Sequence, residues 1–196
     1  MKTLKITFIL FIVTSFVSSL YAQDGVFSNG NSFEKSRIAA SVQPVFLTQA
    51  DDFILFFRGR YGLSTYRDLS VKLGMLGESV FIGGHLEEPH LKSDQYPIMT
   101  FFQYGVQYWN NFGLKASYNI KYQINEFNIY TGLLYQPFFG GSSPHPFLIP
   151  LGISYQPQEI DGLFFIELNG GLNDDATDLQ NVQFGVRLNL GFINSN

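Results

Sequence analysis

The 196-residue chain contains no cysteine and few charges, since Asp, Glu, Lys and Arg make up only 14% of it. An ordinary soluble domain carries about 25% of these residues. The lack of cysteine excludes a disulfide-stapled scaffold and a Cys-ligated zinc site. The net charge of −4 argues against a nucleic-acid partner. With 17% aromatic residues the chain is not a disordered tail either.

Long hydrophobic runs are also missing, apart from one near the N-terminus. Residues 6–17 are mostly apolar, Lys2 and Lys5 precede them, and Ala22 closes a short stretch that begins with two serines. This run is too short for a membrane-spanning helix, which needs about 20 residues. It predicts a signal peptide over 1–22 that is cleaved after Ala22 and leaves one domain over 23–196. A buried first helix is the alternative, and the lack of cysteine excludes a lipoprotein anchor.

Strict alternation of apolar and polar residues dominates the rest of the chain. In 112–122, for example, Phe112 and Leu114 alternate with Gly113 and Lys115. Such alternation predicts strands with two different faces. It occurs in ten segments, namely 37–47, 53–63, 66–76, 79–88, 98–109, 112–122, 126–136, 147–156, 163–172 and 182–192. Their lengths suit tilted transmembrane strands of about 9–11 residues better than globular strands of about 5–6.

Alternation alone fits both a soluble barrel and a membrane barrel, so the two faces must be compared. The polar positions are mostly Gly, Ser, Asn and Gln, whereas a solvent face is usually rich in charge. Aromatic residues cluster near segment ends, as in the interfacial girdles of membrane barrels: Tyr104, Tyr108, Trp109, Phe112, Tyr122, Phe127, Tyr135, Phe138, Tyr155 and Phe192. We predict an all-β, antiparallel, up-and-down transmembrane β-barrel. The alternative is a soluble secreted β-barrel that carries an apolar ligand.

The strand number depends on two prolines. Pro44 and Pro150 each remove a ladder hydrogen bond from a predicted strand. A barrel in lipid has no free edge to accommodate this loss. We expect ten strands with local bulges at the prolines, and eight strands if neither segment spans. Both numbers are even and bring the two termini to the same side.

Three features together resemble a known class. They are the signal peptide, the segment 58–63 that leads through a short turn into 68–74, and the closing strand 182–192 with Phe192 near its end. The chain resembles the small, porin-like outer-membrane β-barrel proteins of Gram-negative bacteria. This resemblance implies a monomer in the cell outer membrane, with outer-membrane lipid and the barrel-assembly machinery as partners. It implies no specific activity.

The candidate lining of the lumen consists of the charged residues at the polar positions of the alternating segments. They are Arg37, Arg58, Arg60, Asp68, Lys72, Glu87, Lys115, Lys121, Glu167 and Arg187, with His85 among them. The interpretation that we favour is a structural barrel plugged by its own ion pairs, because about eight strands already enclose a filled interior. The basic excess of the lining also suits a narrow passive pore that favours a small anionic solute, and this is the second interpretation.

No enzymatic role, cofactor or metal is predicted. The sequence has no P-loop, dinucleotide-binding or nucleophile-elbow motif. His85 lies near Glu87, yet a lone histidine is usually a satisfied polar residue. The acidic loop 173–178 has spacing that suits calcium but lacks the glycine and closing glutamate of an EF-hand. We interpret it as a solvated loop.

Overall fold

A computed structural model describes residues 35–48, 52–64, 67–76, 79–92, 97–140 and 144–192. Its strands are β1 (Arg37–Leu47), β2 (Asp52–Ser64), β3 (Arg67–Leu76), β4 (Ser79–Lys92), β5 (Ile98–Trp109), β6 (Asn111–Ile124), β7 (Phe127–Tyr135), β8 (Phe138–Phe139), β9 (Phe147–Tyr155), β10 (Gly162–Gly171) and β11 (Asn181–Phe192). A 3₁₀ helix, Asp174–Leu179, precedes β11. The predicted signal peptide lies outside the described residues. Within them, no helix is long and apolar enough to cross a bilayer.

Ten of the strands close into a barrel in which neighbours along the chain pair antiparallel. The pairing of β1 with β11 and of β5 with β6 completes the ring. The two-residue β8 continues the line of β7 and pairs with β6 through Phe138 and Gly113. The predicted all-β, up-and-down, ten-strand architecture is confirmed, and the eight-strand alternative is wrong.

Both prolines lie inside barrel strands, at places where the ladder is interrupted on one side only. Pro44 pairs with Leu55 of β2, but the β1–β11 pairing skips from Val42 to Val45 and keeps its register. Pro150 pairs with Asn169 of β10, and its carbonyl accepts a 2.8 Å hydrogen bond from the Thr131 hydroxyl. The hydrogen bond that each proline cannot donate therefore falls where the strand pairing skips two residues.

The two faces of the barrel have opposite polarity. Outward side chains are apolar and exposed, such as Val71 (45%), Leu73 (48%) and Leu133 (46%). Inward side chains include the buried polar and charged groups. A soluble carrier of an apolar ligand would have the reverse arrangement, with its apolar face inside.

The predicted aromatic girdle needs two corrections. Tyr108 and Phe112 point outward, whereas Trp109 and Phe138 are only 7% and 8% exposed and point into the lumen. Trp109 follows Tyr108 directly, so the period of two places it on the inner face. The side chain of Phe192 lies outside the described part of the chain.

The barrel has two distinguishable ends. We call the end that holds Arg37, Asn125 and Asp161 the terminal end, because β1 begins and β11 finishes there. The opposite end holds Leu47, Asn110 and the 3₁₀ helix. Six buried apolar side chains cluster inside the barrel toward the opposite end: Val45, Leu47, Ile54, Phe56, Phe81 and Trp109. A second cluster there joins Ala176 and Leu179 of the 3₁₀ helix to Leu134 and Leu148.

Candidate functional site in the barrel lumen

The strand alternation buries most of the predicted lumen residues on the inner face of the barrel. The buried ones, none more than 8% exposed, are Arg58, Arg60, Asp68, Lys72, His85, Glu87, Lys115, Lys121, Glu167 and Arg187. Arg37 differs because it starts β1. Its side chain is 25% exposed at the terminal end and forms a 2.7 Å ion pair with Asp161.

One row of polar side chains crosses four strands at the same level. The register sets Asp68 of β3 opposite Glu87 of β4, Glu87 opposite Gln103 of β5, and Gln103 opposite Ser117 of β6. Gln103 Nε2 donates to Glu87 Oε2 at 3.1 Å, and the Ser117 hydroxyl donates to Gln103 Oε1 at 3.4 Å. We call this row on the inner wall the belt, and it is hydrogen-bonded from Glu87 to Ser117.

Arg60 of β2 neutralises the acidic end of this row. Its Nη2 pairs with Asp68 and lies 3.0 Å from Glu87 Oε1. All three side chains are buried. A guanidinium that bridges two carboxylates satisfies charges that would otherwise be costly inside a protein. The carboxylates also attract Arg187 of β11, which is separated from β2 only by β1, while Arg60 repels it.

Arg58 makes a different contact, with His85. Its Nη2 lies 2.7 Å from Nε2 of the imidazole. Because a guanidinium has only donors, Nε2 must be the acceptor, and the ring carries its proton on Nδ1. His85 is thus a hydrogen-bonded residue of the lumen.

Glu167 is the centre of a second network on the other wall and is 0% exposed. Its Oε2 accepts a 2.9 Å hydrogen bond from the Tyr130 hydroxyl. Its Oε1 accepts from Asn169 Nδ2 at 2.8 Å and from the Gln183 amide. Asn169 also binds Asn181, whose amide donates to the carbonyl of Leu179 at 3.0 Å. The network thus runs from the middle of the lumen to the 3₁₀ helix.

A glycine allows Tyr130 to reach Glu167 across an intervening strand. Tyr130 of β7 and Glu167 of β10 are both register partners of Gly152 on β9. A Cβ at Gly152 would lie 2.0 Å from the Tyr130 ring. The ring therefore lies over the bare backbone of β9. Phe56 lies over Gly74 in the same way, and Lys72 Nζ sits 4.1 Å from the centre of the Phe56 ring.

Sequence reasoning placed Gln103, Asn169 and Gln183 on the polar, lumen-facing side of their strands but did not predict their contacts, and it missed Tyr130. Tyr130, Gln103, Asn169 and Gln183 complete the networks, and the apolar clusters lie toward the opposite end. The available signal was parity. A large aromatic residue at a polar position of the alternation indicates a ring inside the barrel when the neighbouring segment has a glycine at the same level.

The acidic loop 173–178 packs against His145, which lies just before β9. Asp175 Oδ2 accepts a 2.8 Å hydrogen bond from the backbone N–H of His145, and the Asn173 amide donates to the His145 carbonyl at 2.9 Å. Across the described ranges, no group of three or more His, Cys, Asp and Glu residues is arranged to hold a metal.

Comparison with solved structures identifies the kind of barrel. The KdgM porin, solved in complex with disordered oligogalacturonate, superposes with a TM-score of 0.50 at 10% identity over 76% of this chain and 98% of its own. This likeness is one of fold, a closed antiparallel β-barrel. No protein-family model matches the chain, and no curated protein matches it either.

Two further barrels are similar at a lower level. The outer membrane protein Omp33 of Acinetobacter baumannii gives a TM-score of 0.43 at 10% identity over 83% of this chain and 100% of its own. A de novo designed transmembrane β-barrel gives 0.43 at 12% identity over 81% and 99%.

Proposed function

We propose that this chain is a non-enzymatic outer-membrane β-barrel whose own side chains close the lumen, so that it serves as a structural membrane protein rather than an open pore. The burial of its charged lining carries this proposal. Lys72, Lys115 and Arg187 are 1%, 3% and 4% exposed. The lining of a water-filled channel would keep its charged heads accessible.

The outer face supports the membrane location. Soluble monomers rarely expose apolar patches larger than a few hundred Å², whereas here the outward side chains of the barrel strands are apolar. Near the terminal end the outer face becomes polar, where Arg67 Nη2 lies 2.5 Å from Glu88 Oε1 and Tyr104 donates to Glu88 at 3.2 Å. An arginine at the bilayer midplane would cost about 2–4 kcal/mol. This pair therefore marks the lipid–water boundary, and outer-membrane lipid is the proposed partner.

Fractionation tests the location. We expect the chain expressed with its signal in a Gram-negative host to stay in the outer-membrane fraction after salt and alkaline washes, and to need detergent for release. Recovery in the aqueous extract would contradict the proposal. Depletion of the barrel-assembly machinery should lower the folded amount, since that machinery is the second proposed partner.

Conductance in planar bilayers tests whether the lumen is closed. Insertion is first verified by the slower gel mobility of the heated sample, which distinguishes folded from unfolded barrel. We expect the inserted wild type to leave the current at the baseline of the bare bilayer. Steady single-channel steps would overturn the closed barrel.

A narrow anion-favouring pore is the second candidate, and one row of the lumen favours it. The register sets Arg58 opposite Lys72 on one side and opposite Ser41 on the other, and Ser41 is opposite Arg187. Like charges on facing positions are unfavourable and would attract anions. If steps occur, the reversal potential in a KCl gradient should favour chloride. Lys72→Gln should then reduce this preference, whereas Arg67→Gln on the outer face should not.

A further inference from the structure

A cavity of about 800 Å³ opens at the terminal end, between the β6–β7 turn and the connection from β9 to β10. Small-molecule sites usually measure about 300–1,000 Å³. Two hydrogen bonds join its walls. The Gln156 N–H donates to the Glu126 carbonyl at 2.9 Å, and Gln158 Nε2 donates to Glu126 Oε1 at 2.6 Å. The cavity is therefore built from two connections that hold each other.

Side-chain amides dominate the lining of this cavity. They belong to Gln123, Asn125, Asn128, Gln156 and Gln158. Each amide offers two N–H donors and a carbonyl acceptor. A ligand hydroxyl also both donates and accepts. An amide-rich wall therefore matches a ligand that carries many hydroxyl groups.

Asn128 supplies a buried polar atom at the wall of the cavity. Its side chain is 3% exposed, and its Nδ2 donates to the Ser154 hydroxyl at 3.4 Å. Its Oδ1 has no hydrogen-bond partner among the described residues. Buried acceptors are normally satisfied. A ligand hydroxyl that reached the wall would provide the missing donor.

Charge restricts the ligand further. Glu126, Glu159 and Asp161 line the cavity, and Arg37 pairs with Asp161. Three carboxylates against one guanidinium give the mouth a negative excess, which repels anionic ligands. These carboxylates do not form a metal-binding group within the described residues. We propose that this mouth binds a short neutral saccharide.

Titration of the full barrel in detergent micelles tests this proposal. The probes are maltotriose, cellotriose and chitotriose, with trigalacturonate as the anionic counterpart, and binding is followed by NMR of the amide side chains. We expect at least one neutral trisaccharide to bind with a Kd of about 1 mM or below, and about tenfold more tightly than trigalacturonate. Binding of trigalacturonate as tight as that of the neutral probes would overturn the proposal.

Variants locate the site. Asn128→Ala should weaken neutral-saccharide binding about tenfold, and Gln158→Ala, which alters an exposed position, should weaken it while the barrel stays folded. Gln180→Ala at the opposite end is the matched control and should bind as the wild type does. Absence of binding by all three neutral probes to the folded wild type at about 10 mM would contradict the proposal. Unchanged affinity in both mouth variants would contradict it as well.

Discussion

The Tyr130 hydroxyl donates a 2.9 Å hydrogen bond to Glu167 Oε2, although the strand β9 lies between the two residues. The hydrogen bonds to Glu167 given above have the side chains of Tyr130, Asn169 and Gln183 as their donors. Glu167→Gln places an amide N–H₂ among those donors. Because it replaces a hydrogen-bond acceptor by a donor in a buried network, we expect a loss of about 2–3 kcal/mol in the free energy of unfolding. Urea titration in phospholipid vesicles measures this.

Tyr130→Phe is the milder companion variant. It removes one hydroxyl and keeps the ring over Gly152, so we expect a loss of about 1–3 kcal/mol. A Glu167→Gln barrel as stable as the wild type would show that the network contributes little.

Gly152→Ala tests whether the Tyr130 ring inside the barrel requires a glycine on the strand beneath it. The new methyl group would lie 2.0 Å from the Tyr130 ring, which must then shift away from Glu167. Overpacking of this kind costs about 1–3 kcal/mol. Gly59→Ala is the matched control because a Cβ there meets nothing within 4 Å. Equal unfolding midpoints for the two variants would argue against the ring-over-glycine packing.

The two ion pairs of arginine with glutamate should differ sharply in value. Arg60→Gln leaves Asp68 and Glu87 buried beside each other without their guanidinium, and breaking a buried pair typically costs about 3–5 kcal/mol. Arg67→Gln removes the partner of Glu88 at the surface, where the side chain of Arg67 is 62% exposed, and should cost about 0–1 kcal/mol. Unfolding in urea measures both, and similar losses would contradict the assignment of Arg60 to a sealed lumen.

Asp161 gives the barrel a pH dependence at its terminal end. Hydrogen bonds from Asn189 and Arg37 lower the pKa of its carboxyl, and partial burial opposes them. A lowered folded-state pKa contributes stability above the unfolded value of 3.8, and this contribution is lost as the pH falls through the folded value. The Tm of Asp161→Asn should therefore lie below that of the wild type by a constant margin from about pH 5 to pH 8, and the margin should shrink below 3.8. A margin that persists in strong acid would assign the effect to another cause.

The sequence predicted the strands and their faces because both follow from a period of two. Arg58 and Lys115 could be assigned to the lumen by parity alone, and both side chains are buried. Parity could not distinguish an open lumen from a filled one, because that depends on how far Phe56 or Tyr130 extends over a neighbouring strand. Arg37 lies at the terminal end and not in the belt, because it is the first residue of β1 and strands begin at an end of the barrel. Trp109 was assigned to the girdle by its position at a segment end, although its odd parity already placed it inside.

The closure of the ring through β1 and β11 also constrains how the chain is assembled. The first strand has only β2 as a partner until the last strand is available, so one sheet edge stays open through most of synthesis. An open edge cannot lie in hydrocarbon because its backbone groups would be unpaired. Contacts between distant parts of a chain also form slowly. In the proposed membrane location, insertion therefore follows completion of the chain, and the unfinished edge is shielded from other strands until β11 is made.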